Sequence, residues 1–143
     1  MNAIPTVTKN LLIINVLVFL ATIVAQSYGI DIDRYLGLHF FLADNFNVAQ
    51  LITYMFMHAG FLHILFNMLW LYWFGALFLM FFSAKHLRGV YILGGICGGL
   101  LYMVAYNVFP YFRPMVDYSF MLGASASVLA IVAATAYREP NYP

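Results

Sequence analysis

The stretch from Gly60 to Phe82 reads GFLHILFNMLWLYWFGALFLMFF. It contains no aspartate, glutamate, lysine or arginine and is apolar around the helix apart from His63 and Asn67. A spanning helix takes about 20 such residues. A backbone in hydrocarbon must satisfy its own hydrogen bonds, so this stretch is expected to be a helix, and the alternation of a barrel strand is absent. Working outward, three more charge-free spans are predicted at Leu11–Tyr28, Gly89–Phe109 and Met121–Tyr137. Lys9 and the small residues around Ala25-Gln26-Ser27 offer elements of a signal peptide. The length of the apolar run and the spans that follow favour a retained first helix.

Composition points the same way. Of 143 residues, 65% are hydrophobic and 8% charged, against about 25% charged in soluble domains. The mean hydropathy is +0.90. The expected class is an all-α, polytopic helical membrane protein with about four transmembrane helices in a single domain, residues 1–143. A net charge of +1 with no basic run points to no nucleic-acid partner. The single cysteine, Cys97, forms no internal disulfide and no cysteine-rich metal site.

Lys9, Lys85, Arg88 and Arg138 fall on one side of these spans, Arg34 and Arg113 on the other. That bias predicts both chain ends in the cytoplasm. The long first loop, Gly29 to Ala59, is apolar enough to lie in the outer interface. Tyr106, Phe109, Tyr111, Phe112 and Tyr118 read as an aromatic belt, with Pro110 and Pro114 stopping the third helix. Gly94/Gly98 and Gly95/Gly99 are small-xxx-small pairs expected to serve packing within the bundle rather than dimerisation. The fourth span reaches about 25 Å against a hydrocarbon core of about 30 Å. Its start, with Gly123-Ala124-Ser125-Ala126-Ser127, is therefore expected inside the membrane, beside a water-accessible cavity.

Polar side chains within spans are costly and each is a functional candidate. His63 and Asn67 are four apart and share one helix face, with His58 just ahead of them. Hydrogen bonding between helices would explain them. So would a donor role: an imidazole N–H and a carboxamide can face a developing oxyanion while Ser125 acts as nucleophile. Ser125 taken alone reads more readily as a small packing residue than as a nucleophile. Gly123, Ala124 and Ala126 leave its hydroxyl approachable. No zinc-protease spacing or neighbouring acid accompanies the histidines, so no metal is expected.

The run Tyr54-Met55-Phe56-Met57-His58-Ala59-Gly60-Phe61-Leu62-His63-Ile64-Leu65-Phe66-Asn67-Met68 resembles the signature of the rhomboid intramembrane serine proteases. There a His-x4-His-x3-Asn pattern opens the second helix and a Gly-x-Ser-Gly opens the fourth, where this chain has Gly123-Ala124-Ser125-Ala126. The long first loop, glycine-rich third helix and short fourth helix fit as well. The resemblance covers the chain as a partial rhomboid-like bundle, the first four of the family's six core helices. It implies Ser125 as nucleophile, His63 and Asn67 as oxyanion donors with the Ser125 backbone N–H, and His58 and Gly123 as site-shaping residues. It also implies transmembrane segments of other membrane proteins as substrates, the bilayer as medium and no cofactor.

Three departures follow. Ala126 stands where glycine is usual. Leu79-Met80-Phe81-Phe82-Ser83 lacks the acid and glycine often found at the end of the second helix. The family's base is a histidine on its sixth helix, whereas all four histidines here, 39, 58, 63 and 86, precede Ser125. The chain is therefore expected to be truncated before the helix carrying the base, and inactive alone. The alternative is a non-catalytic rhomboid-like protein that binds transmembrane clients.

Overall fold

The computed structural model describes residues 3–142. Its order is α1 (Thr6–Ser27), α2 (Ile32–Leu36), β1 (Leu38–His39), α3 (Gln50–Thr53), a 3₁₀ turn (Tyr54–Phe56), α4 (Phe61–Phe78), α5 (Ala84–Val108), a second 3₁₀ segment (Pro110–Met115), β2 (Phe120–Met121) and α6 (Ser125–Arg138). The architecture is an all-α helical membrane bundle. Helices α1, α4 and α5 are long and apolar enough to span, and α6 is a shorter apolar helix.

The predicted spans correspond to these four helices, with shifted ends. Helix α1 begins at Thr6 rather than Leu11, because Thr8 is buried in the bundle against Gly75 of α4. It stops where Gly29 adopts φ +77°. Ile30 N–H donates to Ala25 C=O and Gly29 N–H to Gln26 C=O, which satisfies the terminal carbonyls in a Schellman arrangement. Helix α4 ends at Phe78, short of Phe82. Helix α5 starts early, at Ala84, because Ser83 caps it by accepting from His86 N–H. Helix α6 starts at Ser125 rather than Met121, since Phe120 and Met121 are drawn into strand pairing and Gly123 takes φ +117°.

The first loop is more structured than a connector. Two short helices and a strand fold back on the bundle. Strand β1 pairs antiparallel with β2, Leu38 opposite Met121 and His39 opposite Phe120. Gln50, buried, accepts from His39 N–H and donates to the Tyr35 and Asn45 carbonyls, which holds the loop to itself.

One core joins loop and helices: Leu38, Tyr54 and Met55 pack with Leu71, Tyr91, Val128 and Ile131. On α4 the buried residues Ile64, Asn67, Leu71, Gly75 and Phe78 form a single helical stripe. The two glycine pairs of α5 divide the work. Gly94 and Gly98 admit Ala130 and Ala126 of α6, while Gly95 and Gly99 admit Met55, Leu38 and Leu51 of the loop region. Small residues here let elements of one chain approach closely. A buried polar chain adds to this: Asn15 Nδ2 donates to Tyr91 Oη (3.2 Å), which donates to Met55 C=O (3.2 Å).

Candidate active site

Two segments bring the candidate residues together: the approach to α4 and the approach to α6. Tyr54 C=O accepts from Gly123 N–H at 2.9 Å, docking the second on the first. His58 lies one residue outside the Ala59-Gly60 lead into α4 and is 1% exposed. Its Nε2 accepts from Ala124 N–H at 3.4 Å, which leaves its proton on Nδ1. Burial, with a further contribution from His63, pushes the His58 imidazole down to about 4, so the ring is neutral at physiological pH.

His63 is on the first turn of α4. Its Nδ1 accepts from Ala59 N–H at 3.3 Å, so its proton belongs on Nε2. The two imidazoles meet edge to face with centroids 5.0 Å apart. The Nε2 edge of His63 lies against Gly123: a Cβ there would be 2.8 Å from both Cε1 and Nε2. Gly123 is therefore required twice, by its positive φ and by the imidazole beside it.

Asn67 sits one turn further along, 8% exposed. Its Nδ2 donates to His63 C=O at 2.9 Å, and the second hydrogen of that amide remains. Asn67 and Ser125 line the same cleft, about 230 Å³, with Phe66, Trp70, Val128 and Leu129. Ser125 is the first residue of α6, with no side-chain cap. Backbone N–H groups of a first helical turn have no partner within the helix, and the helix dipole favours negative charge there. The cleft thus gathers one hydroxyl, an amide donor and unpaired N–H groups in apolar walls, with the His63 imidazole behind Gly123.

Of the predicted set, the structure brings Ser125 and Asn67 into one cavity, sets His63 against Gly123, and places His58 under the backbone at Ala124. His39 lies apart, with Nε2 bonded to Arg34 C=O at 2.7 Å, and His86 bonds Ser83 at the start of α5. Among the described residues, no group of three His, Cys, Asp or Glu side chains could hold a metal ion. Phe66 and Trp70 were not among the expected site residues. They lie three residues beyond His63 and Asn67, a spacing that puts them beside that polar stripe. The Tyr54 carbonyl carried no sequence signal, since it acts through its backbone.

A family model for the rhomboid domain matches residues 45–143. The chain belongs to the rhomboid family, and is an integral membrane protein of that class. No curated protein and no solved structure matches it.

Proposed function

We infer that this chain carries the nucleophile's part of an intramembrane serine endopeptidase, with Ser125 attacking a scissile carbonyl of a transmembrane segment. The observation that carries the reading is the single cleft shared by Ser125 and Asn67 at the uncapped start of α6. In this reading the tetrahedral oxyanion is met by Ser125 N–H, the free hydrogen of Asn67 Nδ2 and His63 Nε2–H. Such donors act strongly in a water-poor site. His58 and Gly123 shape the site: one holds Ala124, the other makes room for His63. Phe66, Trp70 and Leu129 would receive an apolar substrate segment from the bilayer. The lysine and arginine distribution puts both chain ends in the cytoplasm.

No histidine of these 143 residues suits the role of base. His58 Nε2 is engaged by Ala124 N–H, and His63 Nδ1 by Ala59 N–H. The acceptor of the Ser125 proton is therefore assigned to a group outside residues 1–143. The same observation favours a second reading, a non-catalytic member that binds transmembrane clients in the cleft.

Fluorophosphonate labelling of the protein in its native membranes separates the two. Labelling that disappears in Ser125→Ala supports the endopeptidase. Absence of labelling in the unsubstituted protein supports client binding and sinks the catalytic reading.

A further inference from the structure

A second cavity lies away from the cleft, where the first loop meets the chain leaving α5. It measures about 450 Å³ and is lined by Phe40, Leu42, Tyr106, Arg113, Val116 and Asp117 among others. Phe109, Tyr111 and Tyr118, on the same stretch of chain as Arg113 and Asp117, are exposed. Exposed aromatic residues at the end of a spanning helix mark headgroup depth.

The walls carry one cation and one anion. Arg113 and Asp117 are four residues apart and both exposed, yet they do not pair: among the described residues the one ion pair joins Arg138 to Glu139. Two opposite charges thus face one cavity without touching each other. A ligand that fits carries a negative group for Arg113 and a positive group for Asp117, with an apolar remainder toward Phe40, Leu42 and Val116. At headgroup depth, that description matches a zwitterionic phospholipid.

The cationic end can be narrowed. A quaternary ammonium is recognised over open ring faces. Tyr106 already stacks on Phe112 (4.9 Å, 13°) and packs on Tyr102 (4.4 Å), and Phe40 packs on Phe41 (4.5 Å). A primary ammonium instead donates hydrogen bonds, which a carboxylate accepts. A glycerol head is neutral and would bring Asp117 hydroxyl groups but no cation to meet its charge.

We propose that this cavity binds the headgroup of a phosphatidylethanolamine-type lipid, with the phosphate on Arg113 and the ammonium on Asp117. The lipid then bridges the first loop to the segment that leads into β2. The proposal is independent of any protease activity.

Native mass spectrometry of the purified protein in detergent tests it. Phosphatidylethanolamine, phosphatidylcholine and phosphatidylglycerol with identical chains are supplied at equal concentration. The ethanolamine lipid is expected to be retained about tenfold over the choline lipid, the effect of one charge-assisted hydrogen bond. Asp117→Asn is expected to bring these two level, and Arg113→Gln to lower retention of both. Equal retention of all three lipids, or a preference that survives both substitutions, overturns the proposal. Soluble glycerophosphoethanolamine identifies the source. Failure to displace the lipid at equal concentration supports a membrane ligand, and full displacement overturns that assignment.

Discussion

Helix α6 has two unlike sides. Toward α5 it presents Ala126 and Ala130 to Gly94 and Gly98, so close that a methyl on either glycine would collide with its alanine partner. Toward α4 it faces Phe66 and Trp70, and the mismatch of large side chains leaves the cleft in which Ser125 lies. The contrast shows how a helix can be held firmly while one of its residues stays reachable. Backbone-to-backbone contact on one side sets the position of the axis. Bulky residues on the other side prevent closure.

Substitutions probe the two sides of α6 separately. The largest effect is expected on the open side: Ser125→Ala should remove all fluorophosphonate labelling of the protein in its native membranes, a loss of at least ~10⁴-fold. Next, Asn67→Ala should slow labelling or cleavage about 10²–10³-fold by removing one oxyanion donor, measured as an initial rate. An unchanged rate would remove Asn67 from the site. On the closed side, Gly98→Leu should cost about 3 kcal/mol through overpacking against Ala126, read by reversible unfolding in mixed micelles.

A pH effect of similar kind belongs to the hinge between the two segments. His58 is held at about 4 when folded against 6.5 for its ordinary value. Below pH 6.5 the unfolded chain binds the proton and the folded one does not, so stability is retained above 6.5 and falls on acidification toward 4. The loss between pH 7 and pH 5 should be about 2 kcal/mol, and His58→Gln should flatten that part of the stability profile. The smallest effect reverses sign. Gly89 also lies in α5, but a Cβ there meets nothing within 4 Å. Gly89→Ala should stabilise by up to about 1 kcal/mol through helix propensity, seen in the same unfolding measurement. A loss instead would mean that α5 needs its glycines for something other than close approach.

The spans were legible because nothing but a membrane tolerates runs such as Leu11–Tyr28 without charge. Their ends were not, because ends depend on partners. Thr8 enters α1 through its burial in the bundle, and Met121 leaves α6 through its pairing with Leu38. The first loop was read as interfacial chain, whereas His39, Gln50 and Tyr35 fold it into short elements by contacts between distant residues. Within the site, His63 and Asn67 could be placed on one face by helical spacing alone. The His58 bond to Ala124 joins residues 66 positions apart and has no local signature. Gly123 was readable as small, but its positive φ and the imidazole against it appear only once the helices are assembled.

The two-residue ladder between β1 and β2 also bears on the order of biogenesis. Helices that enter a membrane in sequence would deliver β1 long before β2 exists. Leu38 and His39 then wait as an unpaired strand edge, the kind of template on which foreign segments pair. Closure of that edge comes with the residues immediately ahead of Ser125. The ladder thus ties completion of the loop to arrival of the segment that carries the hydroxyl.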